Sequence, residues 1–271
     1  MAGGVVLIDI SNSQTKVARC QGMAEGIMGG KVCLPTGELT ADALREAVSA
    51  PVERVIFCSV VPEKSSVVYE AFAGLVEILE VSPAVELGLR IDYPEPGSIG
   101  PDRLANAVAL AAHYEVPGVV VDFGTAVTFD IVSADGAYIG GVIAPGLEVM
   151  TDYMYQRTAL LPKIDLTEPA AVVGKTTRDA MMAGAVYGYR GLVKEILEEV
   201  RKSVAAPRGR RLRVVATGGY AALISGKIPQ IEAVDENLTL EGLRIIGNLN
   251  PPRRGGPEGG QTSRTTNKEH E

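Results

Sequence analysis

An α/β fold built from two similar halves is predicted by two observations. Strand-like and helix-like stretches alternate along the chain, which favours sheets flanked by helices. One short pattern also occurs twice. Val5-Val6-Leu7-Ile8-Asp9-Ile10-Ser11-Asn12-Ser13 and Gly118-Val119-Val120-Val121-Asp122-Phe123-Gly124-Thr125-Ala126 each read as an apolar strand, an aspartate and a tight turn of small residues. A second extended run follows each turn, Thr15–Ala18 and Val127–Ile131, so each half begins with a β-hairpin carrying a carboxylate at its mouth.

In chain order, the Asp9 hairpin is followed by further short strands and a helix over Thr40–Ser49. Arg54-Val55-Ile56-Phe57-Cys58-Ser59-Val60-Val61 reads as a buried strand running into a turn at Pro62, with a helix from Lys64 to Leu79 after it. Tyr93-Pro94-Glu95-Pro96-Gly97 is too rigid and Gly-rich for a helix and reads as a loop. Pro101 suits a first helical turn, and Leu104, Val108, Ala111 and Ala112 fall on one face of the helix it opens. Near Val116-Pro117-Gly118 the chain leaves that helix, which sets the boundary between a domain over 1–115 and one over 116–250. The second half continues through Ile139–Gly146, a helix from about Leu147 and a loop around Leu161-Pro162. A long helix over Thr177–Val204 and a strand from Val214 stopping at Gly218-Gly219 follow. From Pro251 the composition turns to Pro, Gly, Arg, Thr and Glu without apolar periodicity, so 251–271 reads as a disordered tail.

The 271 residues are 46% hydrophobic, which fits a soluble globular protein with substantial cores. A net charge of −7 argues against nucleic-acid and anionic-membrane binding, so any phosphate site must rest on backbone amides, a few basic side chains and cations. Cys20, Cys33 and Cys58 form no C-x-x-C pair, suit a reducing cytoplasm and read as small apolar fillers. With only His113 and His270 present, a His-based metal site is not expected. No signal peptide and no bilayer-length apolar stretch is visible.

Small turn residues let backbone N–H groups approach a phosphate, and a nearby carboxylate can hold a cation that screens it. Two such hairpins facing each other would clamp nucleotide phosphates; singly, each is an ordinary hairpin whose Asp favours the turn. In Gly100-Pro101-Asp102-Arg103, Asp102 either complements the helix dipole or accepts a proton from a substrate hydroxyl, with Arg103 placed to fork onto a carboxylate or phosphate. Gly174-Lys175-Thr176-Thr177 looks like the end of a P-loop, but Pro169 stands where the first glycine belongs, and no apolar strand precedes it. Thr177 instead reads as a helix cap or its neighbour. Thr217-Gly218-Gly219 admits either a planar ligand or close strand–helix packing.

Together and in this order, these segments resemble the type III pantothenate kinases. The resemblance runs from about Val5 to Asn250 and includes Thr158-Ala159-Leu160-Leu161-Pro162 and Asn237-Leu238-Thr239-Leu240-Glu241-Gly242-Leu243. It implies two ribonuclease H-like domains of the actin-like ATPase superfamily, each a mixed sheet flanked by helices. It further implies phosphorylation of pantothenate by ATP with Mg2+, the first step toward coenzyme A, in a cytoplasmic homodimer. By matching positions, Asp102 would be the catalytic base, and Tyr93, Gly100, Pro101, Asp102, Arg103 and Thr177 would bind pantothenate. Asp9, Ile10, Ser11, Asn12, Ser13, Gln14, Thr15, Lys16 and Thr125 would hold ATP, and Asp122 a monovalent cation, K+ or NH4+.

The chain departs from the family at one telling place. Ser11 stands where the family's first loop carries glycine, and if the backbone there is left-handed a Cβ costs on the order of 1 kcal/mol. The alternative to an active kinase is a weak or inactive homologue acting as a binding or regulatory protein.

Overall fold

The computed structural model describes residues 4–21, 26–48, 51–204 and 210–252. The reading of 251–271 as a disordered tail falls, from residue 253 onward, outside the described residues. The strands are β1 (Gly4–Ile10), β2 (Gln14–Cys20), β3 (Met28–Pro35), β4 (Val52–Ser59), β5 (Glu77–Glu80), β6 (Arg90–Ile91), β7 (Gly118–Phe123), β8 (Ala126–Val132), β9 (Ala137–Pro145), β10 (Arg213–Thr217) and β11 (Ala233–Val234). The helices are α1 (Ala41–Val48), α2 (Pro62–Phe72), α3 (Pro101–His113), α4 (Leu147–Arg157), α5 (Thr177–Ser203), α6 (Ala221–Ser225) and α7 (Leu238–Leu249).

The strands form two mixed sheets with the same plan, as an actin-like fold requires. In the first, the order is β3-β2-β1-β4-β5, with β1–β3 an antiparallel meander and β4 and β5 parallel to β1. In the second, β9-β8-β7-β10-β11 repeats that order, and β6 adds to β9 at the edge. The repeated hairpin seen in the sequence is therefore the first hairpin of each sheet.

Period-two alternation decides the layering. On β1, Val6, Ile8 and Ile10 face an outer core with α1 and α2, while Val5 and Leu7 face an inner core. On β7, Val119, Val121 and Phe123 face an outer core with α5, and Val120 faces the inner one. The inner core is shared: Leu104, Val108 and Leu110 of α3 and Leu240, Leu243 and Ile246 of α7 join residues of both sheets. The molecule is thus layered helix, sheet, helix pair, sheet, helix. Each half also lends an element to the other, since β6 joins the second sheet and α7 packs on α3, β1 and β4.

Three local expectations need correction. The helix expected over Lys64–Leu79 is the shorter α2 followed by β5. Pro62 occupies its first turn instead of a preceding turn, and Gly74, at φ +75°, reverses the chain so that Ile78 and Leu79 pair with β4. Leu104–Leu110 is buried on every side because α3 lies between the sheets, whereas Ala112 is exposed rather than part of a single apolar face. Cys20 and Cys58 are buried fillers, but Cys33 is exposed because β3 is an edge strand.

Candidate active site

The two hairpins bring their aspartates to one cleft. Asp9 is the penultimate residue of β1 and is almost fully buried. It lies opposite Lys16 in the β1–β2 register, and the Lys16 ammonium donates to Asp9 Oδ2 at 3.0 Å. Burial alone would push the Lys16 pKa down, but the charges of Asp9 and Asp122 outweigh it and hold the pKa above its ordinary value. Lys16 therefore stays cationic between the two hairpins. At their tips, the Ser13 and Thr125 hydroxyls lie 2.9 Å apart, so the turns meet across the cleft.

Asp122 is the penultimate residue of β7 as Asp9 is of β1, but β8 offers Thr128 opposite it where β2 offers Lys16. Its Oδ2 accepts from Asn106 Nδ2 at 3.1 Å, and Asn106 Oδ1 in turn accepts from the Thr239 hydroxyl at 2.8 Å. This chain ties Asp122 to α3 and α7. Burial raises the Asp122 pKa, with Lys16 and the Asn106 bond opposing. Gly218, at φ +93° after β10, presses on the same carboxylate. A Cβ there would sit 2.5 Å from Asp122 Oδ1 and 2.6 Å from Phe123 N.

Asp102 faces these two carboxylates from the first turn of α3. Gly100 is the N-cap and Pro101 the first helical residue, so the sequence begins the helix just before the carboxylate. The Asp102 pKa is raised to about 7, first by burial and then by the charges of Asp9 and Asp122; the Arg103 N–H donating to Oδ1 at 2.8 Å opposes the rise. Beside it, Arg103 Nε donates to Asp130 Oδ1 at 2.6 Å and the guanidinium lies 5.9 Å from the Tyr138 ring centre. Tyr93, partly exposed, meets Tyr138 edge-on at 6.3 Å. The Tyr93 loop, the start of α3 and the β8–β9 ladder therefore form one wall.

The other expected site residues fall into two groups. Asn12, Ser13, Gln14 and Thr125 are exposed at the turns, whereas Ile10 packs into the outer core and Thr15 is buried on Thr36 at 3.0 Å. Only the backbone of those last two can face a ligand. Ser11 sits half-buried in the first turn. Its counterpart Gly124 has no left-handed φ, and a Cβ there would meet nothing nearer than 3.5 Å. The Ser11 N–H donates to Gln14 O and its hydroxyl to Asp9 Oδ1, each at 3.1 Å. Thr177 opens α5 next to the true N-cap, Thr176, whose hydroxyl accepts from Asp179 N at 3.1 Å. Its neighbours Lys175 and Arg178 line a separate surface hollow of about 550 Å³ that none of Tyr93, Gly100 or Asp102 lines.

Sequence reasoning missed Asn106, Asp130 and Tyr138. Asn106 is one helical turn beyond Asp102, on the same face of α3. Thr128 and Asp130 are polar residues two apart in an otherwise apolar strand. Both patterns are visible in hindsight, but only the tertiary contacts give them partners.

The cleft thus holds two carboxylates with a fixed ammonium between them, turn tips rich in N–H and O–H groups, and a third carboxyl poised near neutrality. That set can screen a phosphate chain and take a proton from a hydroxyl. Among the described residues, no group of three or more His, Cys, Asp or Glu side chains is gathered for a metal ion, and no helix is long and apolar enough to cross a membrane.

The sequence model of the family described as type III pantothenate kinase matches residues 5–199. A protein of Akkermansia muciniphila named type III pantothenate kinase is 46% identical over 246 residues, covering 90% of this chain and 98% of its own. One of the same name from Methylacidiphilum infernorum is 42% identical, covering 90% of this chain and 88% of its own. Among solved structures, one described as a 2-dehydro-3-deoxygalactonokinase of Sinorhizobium meliloti superposes with a TM-score of 0.58 at 14% identity, covering 94% of this chain and all of the other. That likeness concerns the fold. The binding or regulatory alternative draws no support from these relatives.

Proposed function

The chain belongs to the type III pantothenate kinase family, ATP-dependent enzymes that phosphorylate pantothenate on the route to coenzyme A, and we propose that transfer takes place in the cleft between its two hairpins. The observation that carries this reading is Asp102, a half-buried carboxyl with its pKa raised to about 7, facing Asp9 and Asp122 where the two turns meet.

On this reading the turn at Ser11-Asn12-Ser13-Gln14 and the Thr125 turn bind the phosphates of ATP, and Lys16 places its charge against them. The pantothenate hydroxyl lies in line with the γ-phosphoryl group. As its oxygen bonds to phosphorus and the bond to ADP breaks, Asp102 takes the hydroxyl proton. A pKa near 7 suits that task, because the carboxylate is available at neutral pH yet basic enough to accept. Tyr93, Gly100, Pro101 and Arg103 form the pantothenate wall, and domains over 1–115 and 116–250 close on the substrates to exclude water.

The donor set suits the cations such a reaction uses. Mg2+ arrives with ATP, needs only one or two protein carboxylates, and supplies positive charge against the phosphates. Asp9, whose carboxylate accepts from Ser11 and Lys16, would be the protein carboxylate on its phosphate side. Asn106 occupies only Oδ2 of Asp122, which leaves Oδ1 for a monovalent cation, K+ or NH4+. Burial of that carboxylate is also the cost a bound cation would relieve. The exposed apolar side chains Tyr153, Tyr155, Leu160, Val172 and Val173 suit a homodimer contact, and cytoplasmic residence fits the metabolic role.

The test is direct measurement of phosphopantothenate from Mg-ATP and pantothenate in K+ or Na+. Product dependent on K+ and lost in Asp122→Ala supports the assignment; equal rates in both salts refute the cation role of Asp122.

A further inference from the structure

We propose that Asp130 is a positioning residue for phosphoryl transfer: it grips Arg103 by Nε and holds the guanidinium's other edge toward a substrate oxyanion. Asp130 is fully buried in β8, and each of its bonds is to a neighbour at the pantothenate wall. Its Oδ1 accepts from Arg103 Nε at 2.6 Å and from the Tyr138 hydroxyl at 3.1 Å, and its Oδ2 accepts from the Thr128 hydroxyl at 3.2 Å. A buried carboxylate is costly unless its hydrogen bonds are satisfied, and here three donors satisfy it.

The grip is one-sided. Arg103 uses Nε alone, and among the described residues its two terminal nitrogens donate to no protein acceptor. Those nitrogens are the pair that forks onto a carboxylate or phosphate. The Tyr138 ring centre lies 5.9 Å from the guanidinium carbon, and Gly141 lies beside a terminal nitrogen. A Cβ at Gly141 would stand 2.0 Å from the Phe129 carbonyl oxygen and 2.5 Å from an Arg103 terminal nitrogen, so the glycine leaves room for the neighbouring backbone and for the guanidinium beside it. The oxyanion it awaits is either the pantothenate carboxylate or a phosphoryl oxygen of ATP.

The inference rests on Arg103 contacting substrate, and the experiment separates the two claims. Steady-state constants for both substrates are measured in Asp130→Asn, Arg103→Ala and the double variant. Loss of one charge-assisted tether is expected to raise one KM about tenfold in Asp130→Asn, with the other KM unchanged. A raised pantothenate KM identifies the carboxylate as the oxyanion, and a raised ATP KM identifies the phosphoryl group. Arg103→Ala should raise the same KM at least as far, and the double variant should be no worse than Arg103→Ala alone. Additive effects, or a normal KM in Asp130→Asn beside a raised one in Arg103→Ala, overturn the role of Asp130. Normal constants in Arg103→Ala overturn the underlying contact instead. If Asp130→Asn does not fold, Tyr138→Phe removes a donor to the same Oδ1 from a side chain too buried to touch substrate. It should raise the same KM a few-fold, and no change in either KM overturns the proposal. A purely structural role would lower the melting temperature without singling out one KM.

Discussion

Asp102 offers a prediction that reads out in both rate and stability. Its carboxyl titrates at about 7 in the folded chain against an ordinary value of 3.8. The folded protein therefore holds this proton more tightly than the unfolded chain. The associated stability is fully present below pH 3.8 and is lost as pH rises through 7. A shift of that size corresponds to at most about 4 kcal/mol. Asp102→Asn removes the cost of holding a buried carboxylate beside Asp9 and Asp122, so the variant should be more stable than wild type at pH 8 by up to a few kcal/mol. At pH 4 the two should be nearly equal. Denaturant unfolding followed at both pH values measures this without reference to activity. In the wild type, kcat/KM for pantothenate should fall about tenfold per unit below pH 7, so that pH 5 retains roughly one part in a hundred. Product is best followed chromatographically, since coupling enzymes have pH profiles of their own. A flat profile from pH 5 to 8, together with an Asn variant no more stable at pH 8, would show that Asp102 is an ordinary solvated carboxylate.

Two further outcomes follow from the geometry of the turns. Ser11→Gly should not tighten ATP binding; losing the hydroxyl bond to Asp9 should raise the KM for ATP a few-fold, and a lower KM would contradict the placement of Ser11. Gly218→Ala combines a left-handed backbone with a Cβ against Asp122 and the Phe123 amide, so it should cost upwards of about 1–2 kcal/mol. Thermal unfolding would show this as a lowered midpoint, and an unchanged midpoint would refute the close approach.

Much of the site's frame was legible because it is written in local chemistry. The two hairpins show as apolar runs cut by Asp9 and Asp122, and α3 announces itself by Pro101. The pairing of the halves was legible only as repetition. What stayed hidden depends on contacts between distant segments. Thr239 reaches Asn106 across 133 positions, and Asp130 gains its meaning from Arg103, 27 positions earlier. The short β5 was hidden for another reason: Glu77–Glu80 is too brief to distinguish a strand from the last turn of a helix, and the left-handed Gly74 just before it is what breaks the helix. Ser11 looked like a liability because the family's loop carries glycine there, yet its counterpart Gly124 has no left-handed φ and the Ser11 hydroxyl finds a partner in Asp9.

The most direct test of the central claim is phosphopantothenate formation by Asp102→Asn, measured beside nucleotide binding in the same preparation with Mg-ATP and K+. The account predicts product reduced by at least about a hundredfold, with ATP affinity close to wild type. Near-normal product from a variant that binds ATP normally would contradict it and remove Asp102 from the base role.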